Sequence, residues 1–178
     1  MQVQQLSVKL FAVDPAAVSF EAFAPIFHRW IQEGRIPGQL LIDVADYRHV
    51  PDGPGIVLIA HQAHYAIDGE RGPLGLLYSV KRDEPGELAG KLDEAYAAAL
   101  AAARALEEDP VRPIRFQGDR LRVSVMSRRH APNTAETFAA ARPSLEAFAA
   151  RVYPGGSAHI EHLSDPREPF AVELAAGG

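Results

Sequence analysis

The densest run of side chains able to do chemistry lies between residues 43 and 82. Asp43, Asp46, Tyr47, His49, Asp52, His61, His64, Tyr65, Asp68, Glu70, Arg71, Tyr78 and Arg82 all fall within it. Asp43 and Asp46 stand where an apolar segment gives way to a loop, and His61 follows the apolar run 56–60. Polar groups at the mouths of core strands are where ligand pockets form. The run therefore predicts a small-ligand site on a hairpin rim built from Asp43, Asp46, His49, His61, Tyr65, Asp68, Arg71 and Tyr78. The same residue types also suit a plain solvated rim whose charges pair with one another.

Two H-x-x-H spacings, His61-Gln62-Ala63-His64 and His159-Ile160-Glu161-His162, raise metal chemistry. A divalent transition metal accepts imidazole and carboxylate ligands. Residues three apart on a strand point to opposite faces, so a metal shared by His61 and His64 needs a turn or bulge there. His159 and Glu161 share a strand face without one. The metal expectation thus names His61, His64, His159 and Glu161. In its enzymatic form His61 and His64, helped by Asp43, Asp46 or Asp68, hold a metal and a water whose pKa it lowers, as in a hydrolase.

A third chemistry is anionic. Residues 111–130 carry Arg112, Arg115, Arg120, Arg122, Arg128 and Arg129 against Asp119 alone. Arg120 and Arg122 alternate with Leu121 and Val123, which puts both arginines on one strand face. Two readings stand open: an anion site at Arg120 and Arg122, or pairing with the acids of segment 83–110.

Other chemistries are excluded by what the chain lacks. No serine sits in a Gly-x-Ser-x-Gly context, and no Gly-x-x-x-x-Gly-Lys run cradles a phosphate. With no cysteine, disulfides, thiolate zinc sites and thiol nucleophiles are all ruled out. A net charge of −5 gives no global support for a nucleic-acid partner. No apolar run reaches the roughly 20 residues of a membrane helix, and the start has no signal-peptide pattern. The expectation is a cytoplasmic protein with neither membrane nor nucleic acid as partner. The excess of arginine over lysine and the alanine-rich composition read as codon usage of a GC-rich bacterial genome.

These residues must be positioned by elements the pattern predicts. Residues 3–13 read as a strand stopped by Asp14-Pro15. Ser19 caps a helix whose Phe20, Phe23, Phe27, Trp30 and Ile31 recur at helical spacing, with Gly34 ending it. Strands follow at 39–44, 55–61 and 74–81, the last two forming a hairpin turned at Asp68-Gly69. A long alanine-rich helix spans 83–109, capped by Asp83. A second hairpin joins 113–117 to 120–126 around Gly118-Asp119. Asn133 and Glu136 form a capping box for a helix to about Val152, with Pro143 inside it. Residues 158–163 are the last strand of the domain.

The fold expected is a single α+β domain over residues 1–165 with a C-terminal arm at 166–178. Its mixed or antiparallel sheet carries helices mainly on one face, in the order β-α-β-β-β-α-β-β-α-β. Segments 7–46 and 123–165 share a layout of strand, proline loop, Phe-rich helix and strand, which reads as a weak internal duplication. Phe170, Val172 and Leu174 alternate in the arm, which either covers its own sheet or is exchanged with a second copy. The function expected is non-catalytic: a small binding or assembly protein, homo-oligomeric, holding a small ligand. The alternative is the metal-assisted hydrolase.

Overall fold

The computed structural model describes residues 1–51, 53–70, 72–81, 85–111 and 113–177. The order is β1 (Gln2–Val3), β2 (Leu6–Ala12), α1 (Phe23–Glu33), β3 (Leu41–Asp46), β4 (Ile56–Ala60), β5 (Ala63–Asp68) and β6 (Gly75–Val80). Then come β7 (Gly86–Glu87), α2 (Leu88–Glu107), β8 (Phe116–Val125), α3 (Ala135–Val152), β9 (Ala158–His162) and β10 (Phe170–Ala176). Eight strands form one antiparallel sheet in the order β3-β4-β5-β6-β2-β8-β10-β9, while β1 and β7 make a separate short pair. The class is α+β, as the pattern predicts.

Each helix follows from its apolar stripe. Phe23, Ile26, Phe27 and Trp30 recur at helical spacing and bury one side of α1, and Gly34 closes it in the left-handed region at φ 61°. Pro25 falls in the first turn, where its missing N–H costs nothing. Alanines at 95, 99, 102 and 103 let α2 lie close against β2 and β6. The three helices share one core with Val8, Leu10, Leu58, Tyr65, Leu121 and Val172 from the sheet.

Two crossovers organise the sheet. The β2–α1–β3 unit is split by β4, β5 and β6, and the β8–α3–β9 unit is split by β10. These are the two segments whose layouts match in the sequence. Their first strands, β2 and β8, pair antiparallel at the centre, with a bulge between Leu10 and Ala12.

Three local expectations are corrected. A strand the pattern missed, β5, follows β4 across a tight turn at His61-Gln62, so the region holds a three-strand meander. The proposed hairpin at 113–126 is one long strand: Gly118 is not among the positive-φ glycines, so it lacks the backbone a two-residue turn demands. The cap of α3 is Thr134, whose Oγ1 accepts the Thr137 N–H at 3.3 Å, because Asn133 is used elsewhere. Of the two placements open to the arm, it takes the first: its alternating residues form β10, paired on both sides within its own sheet, to β8 and to β9. The predicted cap of α2, Asp83, lies outside the described residues; the described helix starts at Leu88 with Glu87 before it.

Candidate functional site

The face of the sheet without helices is closed by side chains of its own. Ser7, Lys9, Phe11, Ala66, Asp68, Ala171 and Glu173 are all under 10% exposed, yet none belongs to the helix-packed core. Alternation along β2 explains the division: Val8 and Leu10 turn to the helices, and Ser7, Lys9 and Phe11 to the other side.

Strand register lays these residues out in rows. One row runs His64, Ser79, Ser7, Ser124, Ala171 across β5, β6, β2, β8 and β10. The next runs Ala66, Leu77, Lys9, Arg122, Glu173. Three serine hydroxyls on adjacent strands thus stand beside a lysine and an arginine.

Lys9 is 3% exposed. Its ammonium donates to Asp68 Oδ2 at 2.7 Å and to the Glu70 carbonyl at 3.0 Å. Burial pushes the amine below the ordinary lysine value; Asp68 pulls it back up, and Arg122 pushes it down further. Arg122 in turn donates to Glu173 Oε1 at 2.6 Å, and Arg120 reaches Glu173 Oε2 through its Nε at 2.8 Å. The two guanidiniums together hold the Glu173 carboxyl below the usual carboxylate range against its burial. Both lie over the Phe11 ring, 4.9 and 5.6 Å from its centre, which seals that ring from water.

A cavity of about 430 Å³ opens above this floor. Ser7, Lys9, Asp68, Leu77, Ser79, Arg122, Ser124 and Ala171 form its base. Glu70 and Met126 add to the sides, and the 163–169 loop supplies a wall with Leu163, Ser164, Asp165, Glu168 and Pro169. Asn133, the single asparagine, fixes that wall: its amide donates to the carbonyls of Leu163 and Asp165, each at 2.8 Å. His162 Nε2 meets Asn133 Oδ1 at 2.6 Å while its ring stacks on Phe138. On the other side the β5–β6 turn rests on Arg122. A Cβ on Gly72, at φ 125°, would come within 2.9 Å of the Arg122 guanidinium.

Of the residues singled out in the sequence, Asp68, Glu70 and Arg122 line this cavity, and Arg120 flanks it through Glu173. The others are dispersed. Asp43 sits on the edge strand β3 and accepts its neighbour Val44's N–H at 2.8 Å. Asp46, at the far end of β3, is clamped by Arg48, which holds its carboxyl down to about 2. His49 is exposed in the following turn. Tyr65 and Tyr78 face the helices, ring centres 5.1 Å apart, with the Tyr65 hydroxyl buried and without a hydrogen-bond partner among the described residues. Arg71 lies outside the described residues.

The metal expectation is corrected on geometry. His61 is exposed in the β4–β5 turn, and His64 is the second residue of β5, four residues and about 13 Å from Asp68 along the strand. Asp68 is already bound to Lys9, Asp43 is separated from His64 in their shared cross-strand row by Ile59 of β4, and Asp46 is held by Arg48. His159 and Glu161 do share a face of β9, but His162 turns to the other side. No cluster of three or more His, Asp or Glu side chains suited to a metal occurs among the described residues. The anion expectation changes as well. Arg120 and Arg122 are joined to Glu173 of β10 rather than to acids of segment 83–110, of which Asp93 and Glu108 take Arg151 and Arg35.

Lys9, Asn133 and the serine row were missed. A lysine inside the otherwise apolar run VKLFA was the available signal, since an all-buried strand must supply that ammonium with a partner. Nothing local marks the serines, which only register brings together. Among the described residues no helix is long and apolar enough to cross a membrane. Compared with known proteins, the chain matches no family model and no curated protein.

Proposed function

We propose that this protein binds a small, neutral, hydroxylated molecule in the cavity on the helix-free face, without turning it over. The observation that carries the reading is the floor: a buried Lys9–Asp68 pair beside three in-register serine hydroxyls, at the base of a roomy pocket. Pockets of this size take small ligands, and a few fixed polar groups among apolar walls set orientation. The lining carries Asp68, Glu70, Asp165 and Glu168 against Lys9 and Arg122, which favours a neutral ligand over an anion.

Thermal denaturation with glycerol, dihydroxyacetone and glyceraldehyde tests it. A saturable rise in melting temperature is expected for at least one, as binding to the folded state requires, and Ser124→Phe removes it by filling the cavity. No rise with any of the three, or a rise that survives Ser124→Phe, contradicts the reading. Self-association would use the β3 edge, where Leu40 and Ile42 are 67% and 50% exposed, because β10 is committed on both sides to its own sheet. A dimer in solution that Ile42→Lys splits supports that arrangement, and a monomer at all concentrations removes it.

A further inference from the structure

Resting on the reading of the cavity as a ligand site, we propose that Lys9 captures a hydroxy-aldehyde or hydroxyketone reversibly, as an imine. Three features of the site converge on this chemistry. The amine is enclosed in the cavity floor, 3% exposed, with a carboxylate oxygen 2.7 Å from its nitrogen. A second cation, Arg122, is its cross-strand neighbour, and a buried lysine beside another cation is the arrangement that makes the amine nucleophilic. Two of the three ammonium donors are taken among the described residues, by Asp68 and by the Glu70 carbonyl, and the side chain still lines the open space.

The proton inventory closes without any further reactant. Asp68 takes a proton from the Lys9 ammonium. The freed nitrogen lone pair forms a bond to the carbonyl carbon, and the carbonyl π pair moves to oxygen, which receives the proton lost by nitrogen. The resulting hydroxyl takes the proton held by Asp68 and leaves as water, and the nitrogen lone pair completes the C=N bond. The iminium carries the same positive charge as the ammonium it replaces, so Asp68 keeps its counterion. The Ser7, Ser79 and Ser124 hydroxyls are placed for a hydroxyl on the neighbouring carbon. The carboxylates of Asp68, Glu70, Asp165 and Glu168 disfavour a keto acid.

The chain has three lysines, Lys9, Lys81 and Lys91, so trapping is readable residue by residue. The full-length protein is incubated with dihydroxyacetone and cyanoborohydride, whose hydride fixes an iminium, and the adducts are located by peptide mass. The expected result is saturable modification of Lys9, the most buried of the three, ahead of Lys81 and Lys91. Its rate levels off at a pH below the ordinary lysine value. Among the described residues the charged groups facing Lys9 are Asp68 on β5, Glu70 in the turn, Arg122 on β8 with Glu173 of β10 behind it, and Asp165 and Glu168 in the cavity wall. Asp68→Asn removes the strongest upward pull, so the Lys9 profile moves to still lower pH, which a purely structural role would not produce. Lys9→Arg keeps the charge and loses the adduct. If Lys9→Arg fails to fold, the order of labelling in the wild-type chain decides alone. Adducts at Lys81, Lys91 or the amino terminus with Lys9 unmodified, while dihydroxyacetone still raises the melting temperature, overturn the imine and leave the cavity reading standing. Neither adduct nor stabilisation overturns both. Equal labelling of Lys9 by glyoxylate overturns the preference for a neutral carbonyl.

Discussion

The two faces of one sheet bury residues by different physics. On the helix side Val8, Leu58, Leu121 and Val172 are at most 2% exposed and pack against apolar helix stripes. On the other side Lys9, Asp68 and Glu173 are at most 6% exposed with no helix above them, and each is paired with an opposite charge. The first face owes its stability to area removed from water and needs only shape. The second bears the cost of desolvated charge, which pairing offsets but rarely exceeds. A polar face that is both buried and open to a cavity is an arrangement stability alone does not call for, and that is why the functional reading is placed there.

The comparison can be broken most sharply at Lys9. Lys9→Ala leaves Asp68 charged and unpaired, with an expected loss of about 3–5 kcal/mol in urea denaturation. Adding Asp68→Leu to Lys9→Met should recover most of that loss, because a packed apolar pair replaces a buried ionic one at little cost. On the helix face, Leu58→Ala should cost about 2–5 kcal/mol as a cavity, with no second-site charge change able to restore it. If the double variant at Lys9 and Asp68 remains as unstable as the single one, the two faces do not differ as described.

A smaller effect is expected at the cavity wall. Asn133→Ala removes two hydrogen bonds to the 163–169 loop and should cost about 1–3 kcal/mol. Hydrogen exchange should quicken in residues 163–169 and leave β5 and β6 unchanged. Protection that falls evenly over the whole sheet would show that Asn133 supports the fold rather than the wall.

How much of this was legible beforehand depends on the element. Helical stripes such as Phe23–Ile26–Phe27–Trp30 declare themselves, because burial repeats with the helix period. The β8 strand did not, since Gly118-Asp119 has the composition of a turn and only the φ of Gly118 decides otherwise. The candidate site was legible in part. Asp68 and Arg122 stood out as charges, but their partners, Lys9 and Glu173, lie 59 and 51 residues away, and cross-strand register is a long-range property. The acids and histidines of 43–64 stood out by density alone, and the meander scatters them along an edge and a turn.

The effect of pH is expected to be smaller again. Burial holds both His64 and His162 below the ordinary imidazole value, so the unfolded chain binds more protons than the folded one as the pH falls below about 6.5. Their contribution is complete above that value and is lost below it. The melting temperature should therefore fall between about pH 7.5 and about pH 5, and His162→Phe should flatten part of that slope. A melting temperature that rises on acidification would reverse the sign of the argument. Least of all should change at the β3 edge: Asp46→Asn disturbs only an exposed pair with Arg48 and should leave the melting temperature where it is.

The most direct test of a ligand site on the helix-free face is a nuclear magnetic resonance titration of the intact protein with dihydroxyacetone. Signals of Leu77, Ser124, Met126 and Leu163 should shift saturably, while those of Leu40 and Ile42 at the β3 edge and His159 on β9 stay in place. Saturable shifts confined to the β3 edge or to the 61–64 turn, or no shifts at all, would contradict the account.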